Sequence, residues 1–307
     1  MKCLITGGAG FIGSNLADIL IERGHKVVII DNLFSGKKEN LNKKAKFYKI
    51  DVRNPVLIPK IFKSEKPEIV FHFAAQINVK ESIKNSKADA EINILGAINI
   101  LENCVANKVK KLVFASSGGA VYGEATVIPT PEEYPEFPLS PYGIAKLTTE
   151  KYLNYYYKVF NLPFVALRFA NVYGPRQNSM GEAGVVATFC DKLLKNQRPI
   201  INGNGKQTRD FVYVEDVVEA LILAMNSKKV GIFNIATAKE TSIKSLFKKI
   251  NELAGSNFRE TYKPIKVEEQ KRSCLDYSRA SKELKWNPKY NLDQGLTKTI
   301  EWFNKKI

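Results

Sequence analysis

The sequence predicts an α/β fold, in which a doubly wound parallel sheet is joined to a smaller mixed α/β domain at the C-terminal end. Short apolar runs of strand length alternate with longer segments of helical period through the first half of the chain. Strands that are buried on both faces and separated by helices are typical of parallel sheets. The smaller domain is predicted because the pattern becomes less regular after Arg168, with turns rich in glycine and asparagine at residues 202–205.

The predicted elements alternate in order along the chain. The apolar runs that we predict to be strands are residues 3–6, 27–30, 47–50, 69–73 and 112–115. Two of the segments between them, residues 12–23 and 88–107, have helical period. We therefore predict a first domain over residues 1–170, to which the chain returns at about residues 210–237, and a second, substrate-binding domain over residues 171–307.

A proline-rich stretch interrupts this alternation. Prolines recur from Pro129 to Pro141, which excludes a helix or a central strand there. Loops of this length in a compact domain tend to be either functional or disordered. The stretch ends in Ser140-Pro141, which is typical of a helix start, with serine as the N-cap and proline at the first helical position. The sequence therefore predicts a long helix that continues to about Phe160.

The composition favours an ordinary water-soluble globular protein. Of 307 residues, 44% are hydrophobic and 25% charged, and 47 basic against 31 acidic residues give a net charge of +16. The lysines are scattered and no basic stripe with stacking aromatics is evident, so we expect a solvated surface and no nucleic-acid partner. Four dispersed cysteines and two histidines predict no metal site. No apolar run approaches the roughly 20 residues needed to span a bilayer, so we expect a cytoplasmic protein without a membrane partner.

A glycine-rich loop follows the first predicted strand and opens the first predicted helix. Gly7, Gly10 and Gly13 have the G-x-x-G-x-x-G spacing, which allows a pyrophosphate to approach the backbone N–H groups of a helix N-terminus. Asp31 ends the next strand, roughly 20 residues further on, where a carboxylate can bind a ribose 2′-hydroxyl and would repel a 2′-phosphate. The pattern therefore predicts a Rossmann-type domain that binds NAD rather than NADP.

Two further strand ends face the same predicted site. Asp51 ends the third strand and is interpreted as a partner of the adenine edge or as a simple turn residue. Phe73, Ala74 and Ala75 end the fourth strand, where small residues would let the cofactor lie close. Ligands of open α/β sheets bind outside the carboxyl ends of the strands, so both positions are candidate contacts.

The predicted long helix carries a candidate catalytic pair. Tyr142 and Lys146 are four residues apart and therefore lie on one helix face. A free phenol has a pKa near 10, and both an ammonium and a positively charged nicotinamide would lower it. Ser116 and Ser117 end the fifth strand, and the Ser117 hydroxyl could bind the same substrate hydroxyl. These residues favour an enzyme that moves a proton and a hydride at an alcohol carbon.

The ordered set of motifs resembles the extended short-chain dehydrogenase/reductases, and within them is most similar to the UDP-glucose 4-epimerases and related nucleotide-sugar 4-epimerases. The resemblance extends over nearly the whole chain. The segments that carry it are 6–13, 72–75, 116–117, Tyr142-x-x-x-Lys146, 168–175, 203–205, 209–216 and 284–288.

The resemblance implies a reaction and a role for each site residue. Tyr142 would take the proton of the sugar 4-hydroxyl while a hydride passes to NAD, and the 4-keto sugar would turn over and be reduced on its other face. Lys146 would bridge the nicotinamide ribose, and Ser117 would assist. The cofactor contacts that we predict are Gly7, Gly10, Phe11, Ile12, Gly13, Asp31, Asn32, Ser35, Gly36, Asp51, Val52, Phe73, Ala74, Ala75, Asn93, Ser116, Tyr142 and Lys146.

The resemblance also implies a substrate site and an oligomeric state. The predicted substrate contacts, for a UDP-sugar, are Ser117, Tyr142, Asn171, Arg209, Lys266 and Ser273. Lys266 replaces the arginine of the R-x-G-D motif of the family, which keeps the charge but loses the bidentate fork. A homodimer packed through residues 88–107 and 141–160 is expected.

Alternatives remain at four points. The loop after Ser117 is one residue longer than the commonest family form, so Ser117 is assigned by counting from the strand and Ser116 is the alternative. Gly118 and Gly119 occupy positions where 4,6-dehydratases place acidic residues, which disfavours dehydration. A non-catalytic NAD-binding scaffold is disfavoured because the tyrosine and the lysine are both present. The small Ser273 predicts room for a 2-acetamido sugar, while UDP-glucuronate or a pentose stays open.

Overall fold

The computed structural model describes residues 1–179, 184–264 and 270–306. Its central sheet has seven parallel strands. In chain order these are β1 Lys2–Thr6, β2 Lys26–Asp31, β3 Lys46–Lys49, β4 Ile69–His72, β5 Lys111–Ser117, β6 Phe164–Phe169 and β11 Gly231–Ile235. The spatial order is β3-β2-β1-β4-β5-β6-β11, so the strand order reverses next to β1, as in doubly wound folds.

Short strands outside this sheet form three small sheets. They are β7 Asn171–Tyr173, β8 Ile201–Asn202, β9 Thr208–Arg209, β10 Phe211–Tyr213, β12 Thr241–Ser242, β13 Tyr262–Lys263 and β14 Arg272–Ser273. Strand β10 pairs with β7, β9 lies between β12 and β14, and β8 pairs with β13. Residues 208–213 therefore hold the chain segments around Asn171 and Ser273 together.

Helices cover both faces of the central sheet. They are α1 Phe11–Glu22, α2 Leu57–Glu65, α3 Val79–Lys84, α4 Ser86–Ala90, α5 Gly96–Ala106, α6 Gly118–Tyr122, α7 Pro141–Phe160, α8 Val185–Leu194, α9 Val214–Asn226, α10 Ile243–Leu253, α11 Ser278–Leu284 and α12 Leu292–Asn304. A 3₁₀ turn spans Lys38–Asn40, and a π-helical turn, Glu91–Leu95, joins α4 to α5.

Alternate residues of each buried strand enter the core on opposite faces of the sheet. In β1, Cys3 and Ile5 pack on the face covered by α1 and α9, whereas Leu4 packs on the face covered by α2, α5 and α7. All three side chains are buried. This burial on both faces explains why the strands are continuous apolar runs rather than alternating ones.

The sequence predictions for these elements are confirmed. Most strands and helices begin and end within one or two residues of the predicted positions. The long helix spans the predicted residues 141–160, and the Ser140 side chain accepts a hydrogen bond from the Gly143 amide at 3.1 Å, as an N-cap does. One prediction was too simple, because residues 88–107 are not a single regular α-helix but contain the π-helical turn. The division into two domains stays a prediction.

The proline-rich segment is a loop without a helix or a central strand, as predicted. It contains no helix or strand apart from one isolated bridge between Thr130 and Leu275. There the Thr130 amide donates to the Cys274 carbonyl and the Asp276 amide donates to the Thr130 carbonyl, both at 2.9 Å. The loop is therefore attached to the segment that follows β14. Within the described ranges, no helix is both long and apolar enough to cross a membrane.

Candidate active site

The candidate site lies at the carboxyl edge of the sheet, where the glycine loop meets the segment after β4. Gly7 has a φ of +72°, and a Cβ there would lie 2.7 Å from the Ala74 amide nitrogen. A Cβ on Gly13 would collide with the Gly7 carbonyl oxygen and lie 2.9 Å from the Gly8 Cα. Because backbone atoms occupy the space of a side chain at both positions, the loop closes this tightly only with glycine.

Asp31, at the end of β2, is held against this loop. Its carboxylate accepts hydrogen bonds from the Ala9 amide at 3.0 Å and the Leu33 amide at 2.8 Å. A Cβ on Gly36 would lie 2.9 Å from both carboxylate oxygens, so glycine leaves that side of the carboxylate uncovered. Burial raises the pKa of Asp31, and the two amides oppose that rise. Each oxygen keeps an acceptor site for a hydroxyl, so these residues fit a dinucleotide with a free ribose 2′-hydroxyl.

Asp51 lies beside Asn32 at the ends of β3 and β2. The side-chain NH₂ group of Asn32 donates to the Asp51 carboxylate at 2.9 Å. The Arg53 guanidinium binds both oxygens of that carboxylate, at 2.8 and 3.0 Å. Arg53 is the main cause that lowers the pKa of Asp51 to about 2. Asp51 is therefore a fixed carboxylate at the rim of the site, and its predicted contact with adenine stays a prediction.

Asn93 holds the chain that runs out of β4. Its side-chain oxygen accepts from the Gln76 amide at 2.8 Å, while its NH₂ group donates to the Gln76 carbonyl at 2.9 Å and to Asp89 at 3.0 Å. This segment begins with Phe73, Ala74 and Ala75, next to the glycine loop. The buried Asn93 side chain thus positions that segment, and a direct cofactor contact stays a prediction.

The other predicted cofactor contacts lie at the same edge of the sheet. Phe11 and Ile12 open helix α1 and are partly buried in the core. Ser35 is exposed in the loop after β2. Val52 is buried, and its Cγ2 would lie 2.9 Å from a Cβ on Gly96.

Tyr142 and Lys146 lie on one face of α7, below the end of β5. The Ser117 side chain lies close enough to the Tyr142 hydroxyl to lower its pKa. The Lys146 ammonium donates to the Ala115 carbonyl at 2.8 Å and lies 5.7 Å from the centre of the Tyr142 ring. The structure therefore brings the three predicted catalytic residues together.

The pKa values of Tyr142 and Lys146 show how the protein itself affects the two groups. Burial raises the pKa of Tyr142 to about 12, while the Ser117 side chain opposes the rise and the Asp89 charge adds to it. Burial lowers the pKa of Lys146 to about 8, and the Asp89 and Glu150 charges oppose that fall. The phenol is therefore not yet a base at neutral pH, which fits the expectation that a positive nicotinamide is also needed.

Ser116 faces away from Tyr142, into a buried ion pair. Its hydroxyl donates to Glu150 at 2.6 Å, and Arg168 donates to the two oxygens of Glu150 at 3.0 and 2.6 Å. Arg168 also donates to Glu136 at 2.8 Å. The geometry thus favours Ser117 over Ser116. Sequence reasoning missed Glu150, although its position four residues after Lys146 places it on the same helix face.

Gly118 and Gly119 are covered by the segment around β14. A Cβ on Gly118 would collide with the Leu275 side chain, and a Cβ on Gly119 would lie 3.1 Å from the Ser273 hydroxyl and 3.4 Å from the Gln270 side-chain oxygen. A side chain at either position would require the neighbouring side chains to move. The same packing places Ser273 against the turn that follows Ser117.

The predicted substrate contacts lie on neighbouring strands. Arg209 of β9 and Ser273 of β14 are paired in register, and Asn171 of β7 pairs with Phe211 of β10. The buried Asp210 lies between them and anchors this segment, because its carboxylate accepts hydrogen bonds from the amides of residues 237 and 238. Lys266 lies outside the described residues.

Comparisons with known proteins extend over the whole chain. The family model described as GDP-mannose 4,6 dehydratase matches residues 4–299. A putative UDP-glucose 4-epimerase of Methanocaldococcus jannaschii is 48% identical over 300 residues, 97% of each chain. A UDP-glucose 4-epimerase of Thermotoga maritima, solved with UDP-glucose, is 46% identical with a TM-score of 0.98 and covers 100% of this chain and 99% of its own. The UDP-glucose 4-epimerase of Thermus thermophilus, solved with NAD, is 39% identical to this chain. It has a TM-score of 0.96, and the match covers 100% of both chains.

Proposed function

Because this chain belongs to the GDP-mannose 4,6-dehydratase family of NAD-dependent epimerases and dehydratases, we propose that it epimerises a UDP-hexose at C4. The substrates would be UDP-glucose and UDP-galactose, with their N-acetylated counterparts. The observation that carries this choice is the glycine pair Gly118 and Gly119, over which Leu275 and Ser273 pack. Dehydratases of the family use acidic residues at these two positions, and this chain has none there, while Tyr142 and Ser117 lie beside them.

The residues that would hold NAD are the glycine loop, Asp31 and the segment after β4. The loop offers backbone N–H groups at the start of α1 for the pyrophosphate, and Asp31 would accept the ribose hydroxyl. When bound, NAD supplies a reversible hydride acceptor next to the sugar carbon.

The chain's own residues move one proton. Tyr142 would accept the proton of the sugar 4-hydroxyl, hold it while the 4-keto sugar turns over, and return it to the same oxygen. Ser117, which lies beside the phenol, would orient it by a hydrogen bond. Lys146 would keep a positive charge next to the forming phenolate. Because the proton leaves and returns, the reaction needs no external acid or base.

Proton NMR of the purified protein with UDP-glucose, and separately with UDP-GlcNAc, tests the proposal. No reductant is added, and NAD released on denaturation is measured. We expect each sugar to approach a mixture of C4 epimers, and the mixture from UDP-galactose to match that from UDP-glucose. A 4-keto-6-deoxy product would indicate dehydration instead. If UDP-glucuronate, tested in the same way, were the only sugar turned over, the substrate would be a UDP-uronate and not a UDP-hexose.

Ser273→Tyr is expected to reduce kcat/KM for UDP-GlcNAc about 10- to 100-fold more than for UDP-glucose. The tyrosine would fill the space between β14 and Gly119, and overpacking of this kind costs about 1–3 kcal/mol. Ser273→Ala, which adds no volume, serves as the matched control and should keep the ratio of the wild type. An unchanged ratio in Ser273→Tyr would show that Ser273 does not line the sugar pocket.

We also propose that a second copy of the chain covers one face of α7. The side chains of this face are spaced along the helix as i, i+8, i+11 and i+15, and all are at least 37% exposed: Ile144, Tyr152, Tyr155 and Val159. Leu95, in the neighbouring π-helical turn, is 58% exposed. An isologous dimer would bury the same apolar patch on both copies.

Sedimentation equilibrium is expected to give twice the chain mass of 34.5 kDa. Tyr155→Glu places a charge in the centre of the patch and should shift the mass toward the monomer. Lys158→Glu is the control, because it introduces the same charge at the edge of the patch, and it should have a smaller effect. A wild-type protein that is monomeric at every concentration would overturn the dimer.

A further inference from the structure

A completely buried amide side chain joins three chain segments next to the candidate site. Asn234 is the next-to-last residue of β11 and is 0% exposed. Its Nδ2 donates hydrogen bonds to the Thr130 carbonyl at 3.0 Å and to the Asp276 carbonyl at 3.1 Å, and its Oδ1 accepts one from the Tyr122 hydroxyl at 3.0 Å. Because only the NH₂ group can donate to two carbonyls, the orientation of the amide is fixed and the Tyr122 hydroxyl must be the donor.

Two of these segments carry the residues that we predict to face the sugar. Tyr122 is the last residue of α6, which begins directly after Ser117. Asp276 comes three residues after Ser273, the last residue of β14. Because Asn234 binds both segments through one side chain, the spacing between them depends on its amide.

Apolar packing between the same two segments is less directional. Leu275 packs over Gly118 and forms a small buried cluster with Tyr122 and Ala236. The hydrophobic effect that favours such a cluster has no preferred angle. A hydrogen bond, in contrast, weakens steeply when its angle falls below about 120°. The bonds of Asn234 therefore define the relative position of the two segments more sharply than the apolar cluster does.

The third segment is the proline-rich loop, which Asn234 attaches to the sheet. Strand β11 lies at the edge of the central sheet, and an edge strand has backbone N–H groups without a strand partner. The Asn234 N–H donates to the Glu132 side chain at 2.7 Å, and the bond from Nδ2 reaches Thr130 two residues earlier in the loop. The loop thus covers the sheet edge at the place where it also meets the segment after β14.

We propose that Asn234 is a positioning residue of the sugar pocket, which sets the spacing between Ser117 and Ser273. This inference rests on the proposed function, because it concerns the pocket in which the 4-keto sugar would turn over. Asn234 is too deeply buried to touch a substrate, so it acts through the segments that it binds. Its removal should therefore affect the sugar part of the substrate and not the nucleotide part.

Asn234→Asp is the variant that tests this role. It keeps the shape of the side chain and the acceptor for Tyr122, but an oxygen replaces the NH₂ group that faces the two carbonyls. We expect kcat with UDP-glucose to fall by about 10²-fold, which is the effect that a displacement of about 1 Å at the reacting groups can have.

Asn103→Asp is the matched control, because it makes the same change in another buried amide. Asn103 lies in α5, where its Nδ2 donates to the Asn99 carbonyl at 2.7 Å. This variant also loses a buried hydrogen bond and should be less stable than the wild type. The kcat of its folded fraction should equal that of the wild type.

A binding measurement separates positioning from a general loss of stability and does not depend on turnover. Calorimetric titration of the holoenzyme gives the Kd of UDP, which lacks the sugar, and the Kd of UDP-glucose. In Asn234→Asp we expect the ratio of the Kd of UDP-glucose to the Kd of UDP to rise by about 10-fold, the equivalent of one lost hydrogen bond. A general loss of stability would weaken the binding of both ligands alike and leave this ratio unchanged.

Tyr122→Phe is a milder variant that decides the question if Asn234→Asp does not fold. It keeps the buried ring and removes one of the three side-chain hydrogen bonds of Asn234, so the ratio should rise by a smaller factor. A ratio that stays at the wild-type value in the folded variants overturns the inference and leaves the proposed function standing. A raised ratio in a protein whose wild type epimerises neither sugar overturns the function alone.

Discussion

Tyr142→Phe is expected to lower kcat by about 10²- to 10⁴-fold, which is the usual contribution of a positioned acid–base group. The phenol is the group that meets the sugar 4-hydroxyl in the proposed reaction, and Ser117 lies beside it. Phenylalanine keeps the ring that packs near Lys146, so substrate binding should change far less than turnover. The measurement is the initial rate of epimer formation, with KM and bound NAD determined in parallel.

Tyr157→Phe is the matched control for this experiment. Tyr157 lies about four turns further along the same helix, is 39% exposed and packs against Phe164. Its variant should keep the wild-type rate. A Tyr142→Phe enzyme that kept more than about a tenth of the wild-type kcat would contradict a proton-transfer role, given the size of such effects.

Much of the fold could be predicted because local patterns decide it. The apolar runs became strands because both faces of the sheet are covered, and Ser140-Pro141 specified the start of α7 through its own side chain and ring. The π-helical turn could not be predicted from residues 88–107. It is accompanied by tertiary contacts, in which Asn93 bonds to Gln76 and its carbonyl accepts from Thr149 at 3.2 Å.

The same distinction between local pattern and tertiary contact applies to the residues of the candidate site. Tyr142 and Lys146 follow from helical spacing, and Asp31 from its position after the glycine loop. The choice between Ser116 and Ser117 needed the structure, because both serines lie next to α7: Ser116 bonds to Glu150, whereas Ser117 lies beside Tyr142. The approach of Ser273 to Gly119 depends on the pairing of β9 with β14, which joins residues more than 60 positions apart.

Arg168→Met is expected to lower the free energy of unfolding by about 3–5 kcal/mol, the usual cost of removing one partner from a buried pair. Arg168 and Glu150 are both buried, and the pair joins α7 to β6 while Ser116 attaches it to β5. Methionine fills much of the volume but leaves the Glu150 carboxylate without a cation. The measurement is equilibrium denaturation in urea, with far-UV circular dichroism of the native state.

Two further variants separate the charge from the packing. Arg168→Met combined with Glu150→Leu removes both charges, and we expect this double variant to be more stable than Arg168→Met alone, because no unpaired carboxylate remains in the core. Arg23→Met breaks the exposed pair with Glu219 and should cost less than about 1 kcal/mol. If Arg168→Met cost no more than Arg23→Met, the buried pair would not be what fixes α7, with Tyr142 and Lys146 on it, against the end of β5. The placement of Tyr142 next to Ser117 would then have to come from the apolar contacts of α7 alone.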